Sequence, residues 1–135
     1  MEFFKWQDSF SVGVNDIDEQ HKRLIDLIND LAKAMSEGKG RDLIGNIIKE
    51  LEDYTVYHFD FEEKFMEKNG YSDLESHKKI HQNFVDKIKE FEIKNNEGSL
   101  LLSIDIFNFL RDWLKEHILG TDMKYSKEFK EKGLL

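Results

Sequence analysis

The histidines are the residues of this chain whose chemistry and spacing stand out. There are five, and all can be assigned to one metal site: His21, His58, His77, His81 and His117. Histidine is the commonest metal ligand because its neutral imidazole offers a nitrogen lone pair near neutral pH. Two carboxylates, Glu62 and Asp122, stand at ligand spacing beside them. This is too many donors for one ion, so the set predicts two metal ions, with iron favoured and manganese or zinc as alternatives.

Two of the spacings suit chelation by a helix. His58 and Glu62 are four residues apart, and so are His77 and His81. Residues at this spacing lie on one face of an α-helix at neighbouring heights. We therefore predict that each pair presents two donors to the same site.

The spacing of His117 and Asp122 does not follow this rule, because they are five residues apart. On a regular helix, five residues would leave Asp122 roughly 140° away from His117. We therefore predict a local break near Gly120, either a π-bulge or the end of the regular helix, that turns Asp122 inward. Irregularities of this kind are frequent at functional sites.

The elements that must position these residues are helices. The chain has no proline, and glycines separate long stretches with three- and four-residue apolar spacing. We predict one domain over 1–135, with an N-terminal arm over 1–15, helices over about 16–37, 41–69, 73–94 and 99–119, and a helical tail over 121–132. Ser72 and Glu75 have the spacing of a capping box at the third helix. Short connections predict an all-α, up-down-up-down antiparallel four-helix bundle.

The histidines are predicted to lie inside this bundle and at one end of it. Each occupies a position of an apolar helix stripe where leucine or isoleucine would otherwise stand, and such stripes face the core. Antiparallel order places the five histidines and Glu62 roughly 5–16 Å from one end of the bundle, at ~1.5 Å per residue. Asp60, Glu63 and Lys64 are expected on a solvated face.

Composition excludes several other classes of site. There are no cysteines, which rules out disulfides, iron–sulfur clusters, thiolate zinc sites and thiol catalysis. The net charge of −8 argues against nucleic-acid binding, which depends on clustered lysine and arginine. No window approaches the ~18 apolar residues of a membrane span, and the N-terminus lacks the apolar region of a secretory signal. We interpret the chain as a soluble cytoplasmic protein with no nucleic-acid or membrane partner.

The donor pattern resembles that of a known family. In the order H…HxxxE…HxxxH…HxxxxD it is similar to the hemerythrins, specifically the small single-domain bacterial type, the bacteriohemerythrins. The segment from Trp6 to Val14, WQDSFSVGV, also resembles that family's opening signature. The match covers essentially the whole chain and misses no ligand. It implies a non-haem di-iron centre with an oxo or hydroxo bridge that binds dioxygen reversibly as hydroperoxide.

The resemblance also implies a division of labour among the ligands. In that family's arrangement, one iron would be bound by His77, His81 and His117, and the other by His21 and His58. The two carboxylates, Glu62 and Asp122, would bridge the two irons. Dioxygen then binds at the iron with two histidines, which keeps an open position, and takes two electrons from the pair.

An apolar wall around the site would exclude water and proton donors. The candidates are Leu24, Phe59, Phe84, Trp113, Leu114, Ile118 and Tyr125. For Phe84, Trp113 and Phe109 the sequence favours plain core over a place in the wall, because core is the default for apolar stripe residues. Tyr125 can line the site or pack the C-terminal tail.

Three functions fit these residues. The first is a dioxygen-binding protein, not an enzyme, that serves carriage, storage, scavenging or sensing. The second is a redox enzyme on the same di-iron site that reduces peroxide, oxygen or nitric oxide. Ferritin-like oxidases use Glu-x-x-His pairs, and no histidine here has a glutamate three residues before it. The third is a structural zinc or metal-storage bundle, which is disfavoured because structural zinc is closed by four ligands.

Overall fold

This computed structural model describes residues 4–98 and 102–135. After an N-terminal arm, the described residues form helices joined by short turns. A 3-10 turn over Asp8–Phe10 precedes them. The elements are α1 (Asn15–Ser36), α2 (Gly40–Tyr54), a first π segment (Thr55–Phe59), α3 (Asp60–Lys68), α4 (Leu74–Asn96), α5 (Leu102–Trp113), a second π segment (Leu114–Thr121) and α6 (Asp122–Glu131).

These elements form four rods. The first is α1, the second runs from α2 through the first π segment into α3, the third is α4, and the fourth runs from α5 through the second π segment into α6. α1 and α4 each pack against both α2 and α5, and α2 and α5 also contact each other. This confirms the all-α, antiparallel four-helix bundle, with an arm before it and a helical tail at its end.

Local signals at the helix ends agree only in part with the structure. Gly38 and Gly70 adopt left-handed φ values of 72° and 67° directly after the C-cap residues of α1 and α3, which is the usual glycine termination of a helix. The capping box predicted at Ser72 is wrong, because its hydroxyl donates to the carboxylate of Glu128 on α6 instead. The N-cap of α4 is Asp73, which makes no side-chain capping bond. The predicted start of the fourth helix at residue 99 lies outside the described residues.

The N-terminal arm is fastened to the bundle at both of its ends. The backbone of Phe4 exchanges two hydrogen bonds with the side chain of Asn29 on α1, at 2.8 and 2.9 Å. Further along, the amide of Val12 donates to Asp18 Oδ1 at 2.9 Å, and the Ser126 hydroxyl donates to the Val12 carbonyl at 2.7 Å. The arm therefore links α1 to α6 at the end of the bundle where the histidines are predicted.

The buried apolar residues form two clusters with a polar layer between them. On α1, Ile17 belongs to the smaller cluster and Leu24 to the larger, with His21 between them in sequence. In the second rod, Glu62 likewise lies between Phe59 of the larger cluster and Met66 of the smaller. No helix within the described ranges is long and apolar enough to cross a membrane.

Two of the four rods contain a π segment. The second π segment carries His117 and ends at Thr121, directly before Asp122, so the structure adopts the first of the two predicted alternatives. Gly120 lies inside this segment and does not end the helix. The first π segment, which contains His58, was not predicted. A π turn holds one residue more than an α turn, so each segment rotates the following helix relative to the preceding one.

We predict that deletion of Gly120 preserves the site and that an insertion beside it destroys the site. Deletion makes the step from His117 to the aspartate four residues, which a regular α-helix places on one face. Insertion of an alanine makes it six, which leaves the carboxylate roughly 120° away on a regular helix. Zinc titration should show near-normal affinity for the deletion variant. The insertion variant loses a ligand itself, so its zinc affinity should fall by more than ~100-fold, the upper end of the loss expected when only a residue that orients a ligand is removed.

Gly120→Ala is the control for these length changes. Its Cβ would meet only the Lys115 carbonyl oxygen at 3.9 Å, an ordinary contact, so we expect unchanged zinc affinity. Equal losses for deletion and insertion would contradict the helical-phase argument.

Candidate metal centre

All seven predicted donors meet in the polar layer of the bundle. Each of the seven is at most 2 % exposed, so the site is sealed from bulk solvent. Their donor atoms form two overlapping groups, within each of which all atoms lie within 4.8 Å of one another. The groups are Glu62, His77, His81, His117 and Asp122, and then His21, His58, Glu62 and Asp122.

The two shared carboxylates each turn one oxygen toward each group. Glu62 Oε1 lies 3.1 Å from His77 Nε2 and 3.0 Å from His81 Nε2. Its other oxygen, Oε2, lies 3.6 Å from His58 Nε2 and 3.7 Å from His21 Nε2. This is the arrangement that a carboxylate bridging two cations requires.

Asp122 repeats this arrangement with its own two oxygens. Its Oδ1 lies 2.9 Å from Nε2 of both His77 and His117. Its Oδ2 lies 3.2 Å from His21 Nε2. The second π segment therefore places Asp122, like Glu62, between the two donor groups.

The donor geometry fits metal ions better than hydrogen bonds. Two ligands at right angles around an ion, each ~2.1 Å from it, lie ~3 Å apart, close to most of the distances above. Both oxygens of Asp122, together with His21 Nε2 and His58 Nε2, are buried without a properly aligned hydrogen-bond partner. Buried polar atoms are almost always satisfied, so these orphaned donors indicate a common ligand.

Without a metal, the carboxylates are held in their charged form. Burial alone would raise the pKa of Glu62 and of Asp122, but the surrounding imidazoles hold both below their usual ranges. Burial also opposes protonation of His21 and His77, yet the adjacent carboxylates raise the pKa of each to about 9. The two anions thus recruit protons onto the imidazoles, and these protons are what cations would displace.

Two other imidazoles stay neutral. Burial lowers the pKa of His58 to about 3, although the charges of Glu62 and Asp122 act in the opposite direction. Burial likewise lowers the pKa of His117. A neutral imidazole is the form that binds a metal, so these two need no deprotonation near neutral pH.

Aromatic rings lie flat against three of the imidazoles. Phe59 stacks on His81 with ring centroids 3.9 Å apart, and Trp113 stacks on His117 at the same distance. Tyr54 stacks on His58 at 4.8 Å. Tyr54 was missed as a wall residue, although it stands four residues before His58 in the same stripe and the spacing could have found it.

The remaining predicted wall residues divide between two positions. Leu24, Leu114 and Ile118 are buried in the larger cluster, and Phe84 backs the Trp113 ring at 4.5 Å. Tyr125 belongs to the smaller cluster and donates a hydrogen bond from its hydroxyl to Glu62 Oε2 at 3.0 Å. It is therefore a polar partner of a shared carboxylate, whereas the other candidates form apolar wall or core.

Two outer partners of the imidazoles were not predicted. His58 Nδ1 lies 2.5 Å from Gln20 Oε1, and His81 Nδ1 lies 2.8 Å from Glu63 Oε2. The expectation that Glu63 lies on a solvated face is therefore wrong, since its side chain is only 27% exposed. No sequence signal singles out either residue beyond its position next to a ligand.

Comparison with known proteins agrees with this site. The family described as hemerythrin HHE cation binding domain matches residues 12–128. The chain belongs to the hemerythrin family. It is similar to the bacteriohemerythrin of Stenotrophomonas maltophilia, with 35% identity over 130 residues, 96% of this chain and 84% of the relative. That of Pseudomonas aeruginosa is 39% identical over 120 residues, 89% of this chain and 77% of the relative.

Solved hemerythrin structures share the fold. A crystal structure of a hemerythrin leucine-to-alanine mutant superimposes with a TM-score of 0.83 and 34% identity, covering 94% of this chain and 97% of the other. A phenylalanine mutant superimposes with a TM-score of 0.82. The recognition of the family from its seven-donor pattern is thus confirmed.

We predict that Tyr125→Phe destabilises the protein when metal has been removed with EDTA. The variant deletes the hydroxyl that donates to the charged Glu62, and such a bond contributes about 1.5–3 kcal/mol. Urea unfolding should show a loss of this size in the free energy of unfolding. Tyr71→Phe is the matched control, because Tyr71 packs in the same cluster and its hydroxyl makes no hydrogen bond to a described residue. Equal losses in the two variants would contradict the assignment.

We also predict that metal affinity rises with pH up to about 9. His21 and His77, with pKa values of about 9 in the absence of metal, are protonated at neutral pH and must lose their protons to bind. Each such proton adds roughly tenfold to the affinity per pH unit below that pKa. Zinc competition titrations at about pH 6, 7 and 8 measure this slope. A flat profile would show that the ligands are already deprotonated.

Proposed function

We propose that this protein holds two iron ions at the seven donors and binds dioxygen reversibly. The observation that supports it best is the unequal division of the imidazoles. Three belong to one donor group and two to the other, while Glu62 and Asp122 are shared. The position of His21 and His58 therefore has one protein ligand fewer, and we assign the open coordination position for dioxygen to it.

Iron suits this donor set. Imidazole and carboxylate ligands without thiolate favour iron among the redox metals, with manganese or zinc as alternatives. Two ferrous ions supply two electrons and a coordination position for dioxygen, whereas the protein supplies placement and surroundings. The relatives named bacteriohemerythrin and the hemerythrin structures support the same conclusion.

The surroundings of the site favour retention of dioxygen over its reduction. In the metal-free protein, burial raises the pKa of Tyr54 and of Tyr125 well above 10, so both hydroxyls are weak acids. Glu62 and Asp122 are ionised and have none to give. Stacked rings from Phe59 and its neighbours exclude water. A site without a ready proton donor suits a carrier, store, scavenger or sensor of dioxygen better than an enzyme that reduces it.

The test is a cycle of reduction, oxygenation and deoxygenation. The purified protein is reduced anaerobically, exposed to oxygen and then flushed with argon, while its visible spectrum and iron content are recorded. We expect two irons per chain and a charge-transfer band that appears with oxygen and disappears on flushing. Irreversible oxidation with continued oxygen consumption would favour the redox enzyme instead, and the absence of iron would contradict both functions.

His58→Ala removes a ligand from the position with two imidazoles. We expect this variant to lose one of the two irons and the reversible band, because too few protein ligands remain there. Lys79→Ala, on the exposed side of α4, is the control and should behave like the unmodified protein. Normal oxygen binding by His58→Ala would contradict the proposed open position.

A further inference from the structure

Two of the five imidazoles are anchored by a side chain on their outer nitrogen. Glu63 contacts His81 Nδ1 at 2.8 Å, and Gln20 contacts His58 Nδ1 at 2.5 Å. The outer Nδ1 atoms of His21, His77 and His117 are buried and have no hydrogen-bond partner among the described residues. One anchored imidazole thus belongs to each donor group.

The anchors fix which nitrogen carries the proton. A carboxylate oxygen or an amide oxygen accepts hydrogen bonds, so the facing Nδ1 must donate one. The proton then sits on the outer nitrogen and leaves the Nε2 lone pair directed at the site. His81 Nε2 lies 3.0 Å from Glu62 Oε1 and His58 Nε2 lies 3.6 Å from Glu62 Oε2, so both inner nitrogens face the shared carboxylate.

The anchors also join helices in pairs. Gln20 and His21 are consecutive on α1, and Gln20 reaches across to His58 in the second rod. Glu62 and Glu63 are consecutive on α3, and Glu63 reaches across to His81 on α4. In both cases one residue supplies a donor to the site, and its neighbour orients a donor from another helix.

The two anchors differ in charge. A carboxylate draws the Nδ1 proton more strongly than a neutral amide, because charge-assisted hydrogen bonds are roughly twice as strong. Such an outer partner makes the imidazole a stronger donor to its metal. His81 should therefore be a stronger electron donor to its metal ion than His58 is to the other.

We infer that Glu63 and Gln20 are positioning residues that fix the tautomers of His81 and His58 and that, through their different charges, make the two metal positions electronically unequal. The position with three imidazoles receives the stronger donor, and the position with two receives the weaker. This inference rests on the proposed pair of metal ions but not on dioxygen binding.

The first experiment separates charge from hydrogen bonding at Glu63. Glu63→Gln keeps an acceptor oxygen and removes the charge, whereas Glu63→Ala removes both. Nitrogen-15 NMR of the imidazoles in the metal-free protein, at a pH where His81 is neutral, should show the same His81 tautomer in Glu63→Gln and a mixture of tautomers in Glu63→Ala. Zinc affinity should fall about tenfold in the first variant and toward ~100-fold in the second.

The matched control is Glu67→Gln, one turn further along α3 on an exposed position. It changes the net charge by the same amount and should leave tautomer and affinity unchanged. If Glu63→Ala and Glu67→Gln gave the same spectrum and affinity, the positioning role would be refuted. Failure of the unmodified protein to bind two zinc ions would instead refute the metal pair itself.

The second experiment exchanges the charges. Gln20→Glu places a carboxylate against Nδ1 of His58, and Glu63→Gln removes the carboxylate that contacts Nδ1 of His81. In the iron-loaded protein, Gln20→Glu should lower the midpoint potential because a stronger donor stabilises ferric iron, and Glu63→Gln should raise it. The double variant should reverse the inequality and restore a potential near that of the unmodified protein. Shifts of the same sign in both single variants would overturn the inference.

Discussion

The burial of two carboxylates at the centre of a helical bundle is the constraint on which the rest of this structure depends. Glu62 and Asp122 are fully buried, and an unpaired charge in such a place is strongly unfavourable. Imidazoles on all four rods surround the pair, and the Tyr125 hydroxyl donates to Glu62. Protons or metal ions must supply the balancing positive charge, so the fold is stable only when cations occupy the site.

The bundle meets this constraint by setting the polar layer between two apolar clusters. The larger cluster packs the body of the bundle and the smaller one closes its end, where Tyr125 and Phe129 of α6 pack with Met66 of α3. Each rod therefore passes from apolar to polar and back to apolar within a few turns. Where α-helical spacing would misdirect a donor, a π segment adds one residue, as it does before Asp122.

The parts of the site that follow helical spacing could be predicted from the sequence. His77 and His81 share a face because they are four residues apart, and the five-residue step to Asp122 revealed the second π segment because it broke that rule. The first π segment left no such trace. His58 and Glu62 keep a four-residue spacing across its end, so nothing in the pattern records the extra residue.

Contacts between rods are the features that the sequence did not reveal. Whether Glu63 meets His81 or water depends on the rotation of α3 against α4, and helical spacing determines only which residues share a face of one helix. The failed capping box at Ser72 has the same cause, because its hydroxyl exchanged a local partner for Glu128 of α6. Local motifs lose to tertiary contacts wherever a better acceptor is within reach.

The consecutive placement of ligand and anchor has a structural consequence. A rotation of α1 that displaced His21 would also displace Gln20 and so release His58, which means that both imidazoles of one position depend on the packing of a single helix. The other position takes its imidazoles from α4 and the second π segment, and only His81 is tied to α3. The bundle thus makes the position with fewer protein ligands the one more sensitive to helix movement, and this is the position at which we propose that dioxygen binds.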